Sequence, residues 1–345
     1  MNSKFKILSI DGGGIRGIIP AVVLSEIEKR AQQPISSLFD LIAGTSTGGV
    51  IALGLGVPDE KGFPKFSADD LVGLYEKNGS KIFNKPRTLL LNWVKKAASF
   101  FNEAYSKKGI EKVLQNYFGN AELRDLLTDS LITAYEIEKR KPFYFLSRLA
   151  KDPEHAAQEN FKVAHIARST SAAPTYFEPS WIDWKSNSHL ALVDGGVFAN
   201  NPSMLAFTEA QELLKKTGAK AMDPVLTASD KDQPIFMLSL GTGNSLKSYK
   251  YAKAKGWGKA GWLTPLIDIL MQGVSESVHY QMQYVLPPDR DGTLNYFRMN
   301  TTIEAKDSKM DDASHKNIKA LKNYGKKIIE DYSSAIDTIC SCLTH

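Results

Sequence analysis

The chain has 345 residues, 43% of them hydrophobic and 23% charged. These fractions lie near globular averages, which excludes wholesale disorder and fibrous repeats and leaves ample apolar mass for a large core. Its 43 basic and 38 acidic residues give a net charge of +5, too weak a bias to argue nucleic-acid binding. Cys340 and Cys342 are too close for an easy disulfide and too few for a metal site, which suits a reducing compartment. The apolar window Leu38 to Val57 is interrupted by Asp40, by Thr45-Ser46-Thr47 and by glycines, so it is not a bilayer span of ~20 apolar residues. The first residues lack the ~7–15-residue apolar run of a secretory signal. The expectation is a cytoplasmic protein whose membrane contact is peripheral.

Phe5 to Ile10 reads as a strand that runs into Asp11-Gly12-Gly13-Gly14-Ile15-Arg16-Gly17. Ile18 to Ala31 has helical spacing, with Ile19, Val22, Val23 and Ile27 on one face. Leu38 to Ala43 reads as a second buried strand, with Asp40 inside it, followed by Gly44-Thr45-Ser46-Thr47-Gly48-Gly49 and an apolar helix from Val50 to Leu55. Strand, glycine turn and helix, twice over, open a mostly parallel α/β sheet. Residues 58–130 are less regular and are expected to form an insertion or cap. Strand character returns at Leu131–Tyr135 and Phe143–Leu146, and Phe161 to Ser169 looks helical. A strand over Leu190–Val193 ends in Asp194-Gly195-Gly196, and a helix follows over Pro202–Lys216. Ile235–Leu240 is a buried strand, Leu263–Leu286 mostly helix, Leu294–Met299 strand-like, and Ala313–Tyr332 an amphipathic helix. No internal repeat appears, so one domain is expected over residues 5–333, with 334–345 a C-terminal tail.

Gly44-Thr45-Ser46-Thr47-Gly48 fits Gly-x-Ser-x-Gly. In a sharp strand-to-helix turn the serine oxygen stands clear of the sheet, and the following helix aims its free amides at developing negative charge. The bland reading is a glycine turn whose Ser and Thr cap the helix. The first glycine loop also fits Gly-x-Gly-x-x-Gly, but a dinucleotide site needs an acid ending the next strand, and that strand runs into Ala43 and the serine turn. The other use of consecutive glycine amides is an oxyanion hole. Arg16 is a candidate for holding an anionic head group, against the plain alternative of a solvated first-turn residue. A serine nucleophile needs a base within reach. Asp194 stands in a strand-end glycine turn, on a strand expected to run parallel to that of Ser46, whereas none of the six histidines occupies such a turn. The chain order Ser46, Asp194, His279 keeps a Ser-His-Asp triad formally open, although His279 falls in an expected helix.

Taken together, Asp-Gly-Gly-Gly-x-Arg-Gly, Gly-Thr-Ser-Thr-Gly-Gly and Asp-Gly-Gly, in this order, resemble the patatin-like lipid acyl hydrolases. Ala167-Arg168-Ser169-Thr170-Ser171-Ala172-Ala173-Pro174, Asn200-Asn201-Pro202, Ser239-Leu240-Gly241-Thr242-Gly243 and Met310-Asp311-Asp312-Ala313-Ser314 agree with it. The resemblance spans roughly residues 5–333. It implies a three-layer α/β/α sandwich and a Ser–Asp dyad without histidine, with Ser46 the nucleophile and Asp194 the base. It further implies an oxyanion hole from Gly12, Gly13, Gly14 and the Thr47 amide, and an acyl-enzyme intermediate.

No metal or cofactor is expected, since the chain has no calcium loop and no His-Glu-x-x-His. The implied partners are membrane lipids (phospholipid, galactolipid or acylglycerol), and no nucleic acid. A storage protein that keeps the fold without activity is the non-enzymatic alternative, and Ser46, Asp194 and the glycines are all retained against it. Two stretches suit a lipid surface: Leu89 to Phe101, and Lys247 to Trp262 with five lysines, four aromatic residues and no acid. Some stand-alone members of the family degrade membranes when a signalling nucleotide binds, so the second stretch is also where a small-molecule activator is sought first.

Overall fold

The computed structural model describes residues 4–83, 105–185, 188–216 and 234–344. Its strands are β1 Phe5–Ile10, β2 Leu41–Thr45, β3 Asp129–Glu136, β4 Lys141–Leu146, β5 Ser180–Trp184, β6 Ser188–Asp194, β7 Ile235–Leu240, β8 Asn244–Ser245, β9 Tyr296–Met299 and β10 Thr302–Ile303. The main sheet runs β5-β6-β3-β2-β1-β7-β9, with β4 also paired to β3, while β8 and β10 form a small separate pair. β1, β2, β3, β7 and β9 are parallel to their neighbours in this series. The longer helices are α1 Ile18–Ala31, α2 Thr47–Gly56, α3 Ala68–Ile82, α4 Lys107–Phe118, α5 Val163–Thr170, α6 Ser203–Lys216, α7 Gly258–Val285, α8 His315–Asp331 and α9 Ser333–Thr344.

Strand side chains alternate between faces, and here both faces are buried. On one, Leu8, Ile10, Ile42, Phe236 and Leu238 pack against α1, α2, α3 and α8. On the other, Ile7, Leu41, Ala43, Ile235 and Met237 pack with Ala206 and Ala210 of α6 and Met282 of α7. That is a three-layer α/β/α sandwich, each fully buried aliphatic side chain contributing about 1.5–3 kcal/mol of apolar burial.

Five points differ from, or lie beyond, the sequence reading. Leu38 closes a short helix, Ile35–Leu38, rather than opening a strand. Asp40 precedes β2, and its carboxylate accepts the Lys6 amide at 2.7 Å. The region read as a C-terminal tail forms α9, with Ile336, Ile339, Cys340 and Leu343 buried at helical spacing against α1, and Arg30 tied to Asp337 at 2.9 Å. Within residues 58–130, α3 and α4 place Leu71, Leu74, Ile110 and Leu114 in the same core as α1. The apolar stretch Leu89 to Phe101 lies outside the described residues.

Candidate active site

The site is built where two strands meet end to end. Asp129–Thr133 of β3 pair with β2, and Ala134–Glu136 pair with β6. β4 pairs along Leu131–Glu136 and therefore takes the opposite edge of β3. So β2 and β6 share one edge and run toward each other. Thr45 pairs with Thr133 and Asp194 with Ala134, which delivers Ser46 and Asp194 to one point. The sequence reading has the Asp194 strand parallel to that of Ser46, but β6 is antiparallel to β3 and hence to β2. A strand buried on both faces gives the same hydrophobic run in either direction, so pattern alone does not set its sense.

Ser46 has φ 55° and ψ −124°, a strained conformation for a residue with a side chain. The surroundings enforce it. The Ser46 amide donates to Thr170 Oγ1 at 2.8 Å, and Thr45 Oγ1 donates to the Ala199 carbonyl at 2.6 Å. A Cβ on Gly48 would stand 2.2 Å from the Ile10 carbonyl oxygen, so only glycine lets α2 start this close to β1. Ser46 is the N-cap of α2, so the first-turn amides of the helix, which lack intrahelical partners and include that of Thr47, lie at the serine's end of it.

Asp194 is 2% exposed. Its Oδ1 accepts the Gly196 amide at 2.7 Å, while Oδ2 is buried and makes no hydrogen bond. Burial pushes its pKa up to about 7, against the opposing pull of the Ser46 hydroxyl and the Gly196 amide. The serine thus acts on the carboxylate as a neighbour without a formed hydrogen bond, a contact of the kind that commonly tightens on substrate binding.

The glycine loop lies beside them. The Gly12 amide is already engaged, donating to the Asn200 carbonyl at 3.0 Å, which removes it from the expected set of oxyanion donors. A Cβ on Gly12 would also meet Asn200 Oδ1 at 2.4 Å. Among the described residues no acceptor takes the amides of Gly13, Gly14 or Thr47. Asn200 is held in turn: its Nδ2 donates to Ser275 Oγ at 2.9 Å, and Ser275 Oγ donates to Asp11 Oδ2 at 3.2 Å. Arg298 of β9 clamps Asp11 with two bonds of 2.8 and 2.6 Å. The roles of Asn200, Ser275 and Arg298 are not readable from the sequence, because they arise from contacts between distant segments. The Asn200-Asn201-Pro202 stretch is the one local signal for any of them.

Two cavities open here. The smaller, about 70 Å³, is lined by Ser46, Thr47 and Asp194 together with Ile82, Phe83, Ile110, Leu114 and Phe177. The larger, about 320 Å³, is the more polar of the two and includes Arg16, Lys247, Asp268, Asn244 and Asn300. Met271 and Met310 line both, so the cavities adjoin. Arg16 donates to the carbonyls of Gly13 and Gly243, each at 3.3 Å, and burial lowers its pKa. Among the described residues no histidine lines either cavity. His279 instead sits 3.2 Å from the Tyr296 hydroxyl, and burial lowers its pKa.

A family model described as patatin-like phospholipase matches residues 8–207. Patatin-like protein 1 of Arabidopsis thaliana is 35% identical, over 95% of this chain and 82% of its own length. Patatin-2-Kuras 3 of Solanum tuberosum is 32% identical, over 94% of this chain and 83% of its own. The crystal structure of VipD from Legionella pneumophila aligns at 12% identity with a TM-score of 0.39, over 96% of this chain and 67% of that one, a likeness too distant to carry weight. The family model covers more than half of the chain, and the plant relatives match it along nearly all of its length. The chain belongs to the patatin-like phospholipase family, whose members support lipid acyl hydrolase activity.

Proposed function

We propose that the chain is a phospholipase A-type acyl hydrolase working through a Ser46–Asp194 dyad and an acyl-enzyme. The observation that carries this reading is the end-to-end meeting of β2 and β6, which presents a strained serine and a buried carboxylate to one apolar cavity. Ionised Asp194 accepts the Ser46 proton as Oγ attacks the ester carbonyl. The Gly13, Gly14 and Thr47 amides hold the oxyanion, each such donor commonly lowering the barrier by about 3 kcal/mol. Asp194 returns the proton to the leaving alcohol. It then takes a proton from the water that attacks the acyl-enzyme and passes it to the departing Ser46 Oγ, which releases the fatty acid and restores the ionised carboxylate.

The apolar cavity suits an acyl chain and the polar one a head group. Of the charged residues lining the polar cavity, Lys247 pairs with Asp268 at 3.0 Å and Asp11 with Arg298 at 2.6 Å, which leaves Arg16 without a direct ion pair among the described residues, although Asp268 and Asp11 act on it from farther off. A phosphodiester matches a guanidinium with no direct ion pair better than a neutral sugar does. The test is incubation with defined phosphatidylcholine, galactolipid and triacylglycerol, with products identified by mass spectrometry. Free fatty acid and lysophospholipid are expected from the wild type and none from Ser46→Ala. Turnover by Ser46→Ala at the wild-type rate would remove the nucleophile assignment. Preference for galactolipid would remove the phosphodiester assignment alone.

A further inference from the structure

We infer that the segment from Leu246 to Leu270 is the surface by which this protein docks on an anionic lipid bilayer, with the mouth of its cavities turned to the membrane. The inference deepens the proposed lipid hydrolysis and rests on it only for its purpose, since docking is measured without catalysis.

The observation is a helix whose solvent side is apolar. In α7, Trp262, Leu263, Leu266, Ile269 and Leu270 are all more than 40% exposed. Their spacing, i, i+1, i+4, i+7 and i+8, puts them on one face. The other side of the same helix supplies Ile267 and Met271 to the cavity holding Ser46 and Asp194. One helix therefore separates the site from solvent while showing solvent the side chains that a helix normally buries. Just before it, Leu246 and Tyr251 are exposed as well, at 66% and 82%. Seven of the 14 large apolar side chains exposed among the described residues thus fall within this single segment, which makes a patch rather than scattered surface residues.

Charge chooses the occupant. Lys247, Lys250, Lys253, Lys255 and Lys259 are exposed around the patch, and no acid occurs between Ser245 and Asp268. Among the described residues only Lys247 of these five takes part in a salt bridge. Tyr249, Trp257 and Trp262 form an edge-to-face cluster with centroids 5.3 and 4.9 Å apart, the residue types that favour a head-group layer. No helix among the described residues is long and apolar enough to cross a membrane, so the arrangement fits a helix lying in the interface, with its lysines toward anionic head groups.

The test is sedimentation with vesicles of phosphatidylcholine alone and of phosphatidylcholine mixed with phosphatidylglycerol. Wild type is expected to bind the mixed vesicles far better, and added salt to weaken the binding. Two variants separate the contributions: Leu263→Glu/Leu266→Glu, and Lys253→Gln/Lys255→Gln. These side chains are exposed, so folding survives. Each variant is expected to lose about tenfold or more in vesicle affinity while hydrolysing soluble p-nitrophenyl butyrate at the wild-type rate. Equal binding of wild type and both variants would overturn the inference. So would a wild-type dimer in light scattering that Leu263→Glu/Leu266→Glu dissociates, with vesicle binding unchanged, because the patch would then cover a second copy of the chain. A wild type that binds vesicles but hydrolyses no ester refutes the enzymatic reading and leaves the docking surface standing.

Discussion

Asp194 shows how one side chain's surroundings set both chemistry and stability. Burial is the larger influence on its pKa, and the Gly196 amide and the neighbouring Ser46 hydroxyl recover only part of it, so the carboxyl is pushed up to about 7. A protonated Asp194 is far too weak a base to take the Ser46 proton, so ester hydrolysis is expected to rise with pH through about 7. That step overlaps the ordinary histidine range, so substitutions, not the pH profile, tell the two apart. Asp194→Asn is expected to lower kcat by ~10²–10⁴-fold, and His279→Ala to leave it unchanged, in p-nitrophenyl ester assays. The reverse result would install the triad. Linkage supplies a second readout. A carboxyl whose pKa is raised in the folded state, from 3.8 to about 7, favours folding fully at low pH and loses that contribution as pH rises to about 7. The charge then costs the native state up to roughly 4 kcal/mol. Asp194→Asn should therefore raise Tm more at pH 8 than at pH 5, and thermal melts at the two pH values check it.

At the level of elements, the glycine loop after β1 depends on a side chain from the far end of the chain. Arg298 of β9 and Asp11 are 6% and 3% exposed at their side chains, and Arg298 also donates to Ser239 Oγ at 2.9 Å. Removing one partner leaves the other charge buried, so Arg298→Met is expected to cost about 3–5 kcal/mol in urea unfolding. Asp11→Leu/Arg298→Met should recover much of that stability. Activity should not recover with it, because Asp11 also anchors Ser275 and through it Asn200, whose carbonyl takes the Gly12 amide. Little of this network is visible in the sequence, since nothing near Asp11 or Arg298 signals a partner so distant. What the sequence does carry is local. β1 and α1 have the expected bounds, Phe5–Ile10 and Ile18–Ala31, because a short apolar run before glycines and a one-faced helix are both written in adjacent residues. The start of α7 is obscured by Gly258, Gly261 and Pro265, which argue against helix where the fold imposes one. The helical spacing of Ile336, Ile339, Cys340 and Leu343 is legible, but proximity to the terminus masks it. Ser46 and Asp194 are visible because each stands in a glycine turn; the direction of β6 is not.

Across the whole molecule, the junction of β2 and β6 is held unevenly. β2 is paired on both sides, whereas β6 shares with β3 a ladder of three residues, Ala134, Tyr135 and Glu136, extended by the Ile137 amide donating to the Ala191 carbonyl, and otherwise pairs with β5. The β5–β6 hairpin, which carries one half of the proposed dyad, thus shares only a short ladder with the rest of the sheet, and Ile182, Leu190 and Leu192 hold it through the main core. In a urea titration, ester hydrolysis is expected to disappear before the far-UV circular dichroism signal. Coincident curves would mean that the hairpin detaches only when the sheet unfolds. The same geometry bears on biosynthesis. A growing chain carries Ser46 through much of its synthesis with no carboxylate beside it, and the pair is completed only after residue 194 has been added and the hairpin has reached β3. The proposed hydrolytic activity is thus a property of the finished fold and of no shorter nascent chain.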